Sequence, residues 1–264
     1  MLEIFDDLIK SIQEGDKQWE SLEQLMEERA DIALRHAFDG FGISYEEAIE
    51  ILRDAEDLTN EQQTKRNILI AATDNIIDFS VAEEYQMVDH FSDVEELMID
   101  EELTEDDIED MLAIFYKYNH TYAWVENLDI EYAMAMAAYL MFMKEETTLT
   151  YTTMGDERVR PWHRQYEGYS APKSRFPGWL IPPIEHGCRC YLVEDHTSVF
   201  GQIKNDIVSN SPEMPEWFDP TFKESVAQGG RIFSDEHPYF QIDEAHELRL
   251  NEIASRIKAK YING

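Results

Sequence analysis

Apolar residues recur at three- and four-residue spacing through the first half of the chain, the period of an amphipathic helix. Leu2, Phe5, Leu8, Ile9 and Ile12 form one stripe, which Gly15 breaks. Trp19, Leu22, Leu25, Met26, Ala30, Ala33, Leu34 and Ala37 form a second, which Gly40 and Gly42 are expected to stop. Ser44 with Glu47 three residues on is a capping-box pair and opens a helix through Arg53. Thr59 and Gln62 repeat the box before a helix of about 30 residues, from Asn60 to Phe91. Thr104 with Asp107 opens another over residues 105–122, and residues 128–144 supply the last. Glycine and proline are absent from residue 43 to 154, so the whole region reads as helical.

The pattern changes after Glu146. The run TTLTYTTM (147–154) has the β-branched and aromatic content of a strand. Residues 154–187 are loop-rich, with glycines at 155, 168, 178 and 187 and prolines at 161, 172, 177, 182 and 183. A second strand is expected over Arg189 to Glu194, a short helix over 199–209, and a linker-like turn at NSPEMPEW. A third extended segment is expected over 232–242 and a terminal helix over 243–261. The predicted class is α+β: an acidic all-helical region, 1–146, then a small loop-rich α+β module, 147–264, with a short sheet and a C-terminal helix.

Charge sharpens that division. The 264 residues hold 56 acids and 22 bases, a net charge of −34. Residues 1–150 carry 39 of the acids and 9 of the bases. Such a surface repels nucleic acid, so direct DNA contact is expected only through the C-terminal module. A hydrophobic fraction of 43% is enough for a buried core and argues against global disorder. The acidic N-terminus MLEIFDDLIK lacks the basic start and apolar stretch of a secretory signal. The most apolar helical run, Tyr132 to Met143, has 12 residues. A membrane span needs about 20, so this reads as a buried helix and no membrane partner is expected. Two cysteines one residue apart cannot frame a disulfide scaffold, which fits synthesis in a reducing cytoplasm.

Candidate chemistry gathers between residues 153 and 195. His186, Cys188 and Cys190 place three soft ligands within five residues, and His163 could complete a tetrahedral zinc set. Alternate residues of a continuous strand lie about 6.6 Å apart, so these side chains meet one ion only if Gly187 turns the chain. Otherwise the cysteines are small buried apolar residues. Asp156, Arg158, Arg160, His163 and Arg189 could form an acid–base or nuclease cluster. The competing expectation is a buried bidentate network, with Asp156 pairing Arg158, Arg160 or Arg189 and fixing the loops, so that its removal would strand a buried guanidinium. Trp162, Tyr166, Tyr169, Phe176 and Trp179 alternate with arginines and read as a module core rather than a nucleic-acid platform. The His237-Pro-Tyr-Phe segment is expected to pack two aromatics on the sheet. No phosphate loop, nucleophile elbow, HExxH or dinucleotide fingerprint occurs, and nothing compels an enzyme.

The order Asp156-x-Arg158-x-Arg160-x-x-His163, the Trp179-x-x-Pro182-Pro183 segment and Cys188-Arg189-Cys190 resemble the phage head morphogenesis proteins, minor head proteins similar to protein F of phage Mu. The resemblance extends to Phe38-Asp-Gly-Phe-Gly42, to Asn67 and Phe79-Ser80, to the tryptophan-bearing stretch from Trp124 to Ala138, and to Ile232 through Phe240. One departure is that many members carry a histidine three residues before the first cysteine, where this chain has Glu185. The resemblance implies a virion component at the portal vertex or capsid interior. Its partners would be the portal or major capsid protein, and its role would lie in head assembly and DNA packaging or ejection. No cofactor is expected, with zinc at His163, His186, Cys188 and Cys190 as the alternative. A metal-dependent hydrolase or nuclease, and an acidic DNA mimic, are the other classes compatible with the residues.

Overall fold

A computed structural model describes residues 1–14, 18–54, 56–95, 103–194 and 212–262. Helices α1 (Leu2–Glu14), α2 (Gln18–Phe41), α3 (Tyr45–Arg53), α4 (Asn60–Glu95), α5 (Glu105–Tyr116) and α6 (Ala123–Met141) follow one another, and the fold is α+β. The three capping pairs form as the sequence predicts. Ser44 Oγ accepts from Glu47 N at 3.1 Å, and Thr59 with Gln62 and Thr104 with Asp107 close reciprocal boxes. α2 is the central helix, packed chiefly on α4 and α6, and the Leu22, Leu25, Met26, Ala30, Ala33, Leu34, Ala37 stripe is buried along it.

Two expectations in this half are corrected. Gly40 does not stop α2 but lies inside it. A Cβ built there would sit 2.1 Å from the Glu131 carbonyl oxygen of α6, so the missing side chain lets the two backbones approach. Gly42, at φ +80°, ends the helix in the left-handed conformation that glycine adopts without penalty. The predicted break between helices at 122–128 is also absent. α5 passes into α6 through a π-helical turn, Lys117–Tyr122. This turn points Tyr118 inward, 2.7 Å from His90 Nδ1, and brings Asn119 to Glu84.

The sheet has the order β2–β1–β3, with β1 (Thr148–Thr152) antiparallel to both β2 (Ser170–Pro172) and β3 (Tyr191–Glu194). Leu149 and Tyr151 of β1 face the core. The third strand is thus Ser170–Pro172, and residues 232–242 are not a strand. Asn75 on α4 supplies the hydrogen bonds a sheet would have given them. Its Oδ1 accepts from Ile232 N and Phe233 N, and its Nδ2 donates to Phe233 O. Tyr239 and Phe240 accordingly pack on Phe79 of α4, not on the sheet. The helix expected over 199–209 lies outside the described residues.

Terminal helix α8 (Glu244–Ile262) buries Leu250, Ile253, Ala254, Ile257 and Tyr261 at helical spacing against α3 and α4. Its basic side chains reach the acidic helices, Arg256 to Glu23 at 2.6 Å and Lys258 to Asp78 at 2.9 Å. One cluster of buried apolar residues runs from Phe5 to Tyr261 and includes both parts of the chain. Among the described residues no helix is long and apolar enough to cross a membrane.

Candidate functional site

The loop-rich stretch places the soft ligands by a turn. The Pro182–Pro183 peptide is cis and both prolines are buried. Beyond them Cys188 N donates to Glu185 O at 3.0 Å, and Gly187 takes φ +66°. Regular strand begins only at Tyr191. Short helix α7 (Pro161–Arg164), started by a proline at its first position, presents His163. His163 Nδ1 stands 3.2 Å from Cys190 Sγ and 3.9 Å from Cys188 Sγ. Among the described residues this is the group of three or more His, Cys, Asp or Glu whose ligand atoms converge, all within 4.8 Å and all from buried residues.

A second layer holds the imidazole in place. His163 Nε2 donates to Glu185 Oε2 at 3.1 Å, which leaves Nδ1 facing the sulfurs. The same carboxylate oxygen accepts from Trp162 Nε1 at 2.9 Å, and its other oxygen pairs with Arg160 Nε at 2.9 Å. Tyr132 donates its hydroxyl to Cys190 O. The fully buried Tyr151 hydroxyl lies beside the Cys190 sulfur and interacts with it. The two thiols titrate apart. A hydrogen bond from Cys188 is the largest influence lowering Cys190 to about 5; burial opposes it, and His163 and Tyr151 add to it. The same hydrogen bond, with burial, pushes Cys188 up.

Of the four candidate zinc ligands, the structure gathers His163, Cys188 and Cys190 but not His186. His186 Nδ1 turns to Asp129 Oδ2 of α6 at 2.9 Å, and the Gly187 amide donates to Asp129 Oδ1 at 2.8 Å. Burial pulls His186 down in pKa, but its hydrogen bond to Asp129 and that residue's charge outweigh burial and hold it above its ordinary value. His186 therefore pins the turn to the helical half.

The expected buried network around Asp156 is also corrected. Asp156 does make a bidentate pair with Arg189, at 2.7 and 2.8 Å, but on the surface. Its hydrogen bonds from Arg189 hold the carboxylate below its ordinary range. Arg158 is exposed and donates only its backbone amide to Asp156, while Arg160 serves Glu185 and His186 O. Trp179 packs on Tyr166 and Phe218 within the aromatic core of the module. Beside the cysteines opens a cavity of about 450 Å³ lined by Trp124, Leu128, Tyr132, Arg158, Cys188 and Arg189.

A second polar centre lies inside the helices and has no counterpart in the sequence expectations. Arg29, 1% exposed, is 2.7 Å from Glu83 Oε2, though misaligned for a hydrogen bond, and 3.1 Å from Glu126 Oε2. Its Nη1 donates to Asn127 at 2.8 Å, and Tyr239 donates to Glu126 at 3.0 Å. Burial raises Glu83 well above the carboxylate range and Glu84 to about 7. The pattern carried a clue: Arg29 sits three and four residues beyond Met26 and Leu25 and four before Ala33, on the buried stripe.

No family model matches the chain, and no solved structure matches it. A stretch of 42 residues, 16% of the chain, is 48% identical to an uncharacterized protein, MJ0329, of Methanocaldococcus jannaschii. The chain spans 7% of that relative's length.

Proposed function

We propose that this chain is a minor head protein of a phage or prophage, of the Mu F-like kind, docking on the portal. What carries this reading, beside the sequence resemblance, is how the motif's polar groups are used. Asp156 holds Arg189, Arg160 and His163 hold Glu185, and the cysteines are buried, so the motif braces a module. That is the architecture of a scaffold with a docking face. The face is the cavity beside it, where Trp124 is 66% exposed and Leu128 44%, next to Arg158 and Arg189. Exposed aromatics beside arginines are the composition of interface hot spots. The full chain is expected to co-elute with the portal protein encoded by the same phage or prophage, and Trp124→Ser with Leu128→Asp is expected to abolish co-elution while leaving the chain folded. Absence of association both in extracts and in assembled heads would overturn the proposal.

A further inference from the structure

We infer that His163, Cys188 and Cys190 form a zinc site, with Glu185 and Tyr151 as its outer shell. This inference does not depend on the head-protein reading. In a tetrahedral zinc site with Zn–S of 2.3 Å and Zn–N near 2.0–2.1 Å, neighbouring nitrogen and sulfur ligands are about 3.6 Å apart. The two nitrogen–sulfur distances here, 3.2 and 3.9 Å, bracket that edge. The ligand chemistry is also right, since imidazole and thiolate suit zinc better than the oxygen-seeking divalent ions.

A further observation points at an ion. A metal-bound histidine characteristically donates its other ring N–H to a carboxylate, which fixes the tautomer and makes the ligating nitrogen more basic. Glu185 takes that position on His163 Nε2, and is itself held by Trp162 and Arg160. Cys188 also lines the open cavity beside Trp124, which gives an ion a way in. Three protein ligands leave one coordination position for a water or small anion.

The test uses the full chain purified under reducing conditions, stripped with a chelator and refilled with zinc or with cobalt as a spectroscopic substitute. About one zinc per chain is expected, with thiolate-to-cobalt charge-transfer absorption, and zinc should protect both thiols from alkylation. The Cys188→Ser, Cys190→Ser double variant should fall below about 0.1 zinc per chain. Because that variant can fail to fold, His163→Gln is read alongside it and should bind zinc at least tenfold more weakly. A folded wild-type chain with no thiolate–cobalt absorption would overturn the inference. So would zinc retained at equal stoichiometry by the folded cysteine double variant, since surface carboxylates would then be the ligands.

Discussion

Asp156 and Arg29 each sit in a charge pair, and their surroundings give the two pairs opposite weight. The side chains of Asp156 and Arg189 are 42% and 34% exposed, so water screens the pair and re-solvates either partner when the other is removed. Asp156→Ala is therefore expected to fold and to melt close to the wild type. A collapse into insoluble protein would show that the surface pair has a structural role its exposure does not explain. Arg29 is enclosed, with Glu83 and Glu126 against its guanidinium, and no water can take its place. Burial alone would lower Arg29, but Glu83, Glu126 and Glu84 together raise it. Arg29→Met leaves those acids without their cation and is expected to cost about 3–5 kcal/mol. Urea unfolding measures this, and an unchanged midpoint would mean that the acids take up protons in its absence.

At the scale of elements, helices lie where periodicity and caps put them, because both are local. What the sequence hid are contacts between segments distant along the chain. Gly40 reads as a stop because glycine usually ends helices, yet its role is set by Glu131, ninety-one residues away in sequence. In an exposed helix interior, glycine to alanine stabilises by roughly 0.5–1 kcal/mol. Here the added methyl would collide with backbone that cannot swing aside, so Gly40→Ala should destabilise by about 1–3 kcal/mol. The sign of the change in thermal unfolding decides between a stop and a close approach. The 232–242 segment departs from its strand-like pattern for the same kind of reason. Its extended, aromatic composition matches a strand, but Asn75 takes the hydrogen bonds from a helix. The cluster itself was half legible. Three of its ligands and the need for a turn at Gly187 could be read from spacing. The choice between His163 and His186 could not, because Asp129 on α6 claims His186. Glu185, which looked like a lost histidine, proved to be the residue that orients His163.

For the molecule as a whole, a net charge of −34 makes mild acid a relief from self-repulsion, and the buried acids add to that preference. Glu84 has an ordinary value of 4.5 and is raised to about 7 in the fold, by burial first. Its contribution is fully present below about pH 4.5 and is lost as pH rises through the folded value near 7, because the unfolded chain releases the proton sooner. His237 acts the other way. Burial lowers it from 6.5 to about 4, so its contribution is present above pH 6.5 and is lost as pH falls toward 4. The two oppose each other between these limits, so a simple pH profile of the wild type would mask both. Glu84→Gln separates them, since the amide resembles the protonated acid, still accepts from Asn119 and cannot ionise. Near pH 4.5 the variant and wild type should be about equally stable. By pH 8 the variant should be the more stable, by on the order of 3 kcal/mol. Denaturant unfolding at the two pH values gives the comparison directly. A constant difference across the range would mean that Glu84 stays in one protonation state, and that Arg29 neutralises it despite its burial.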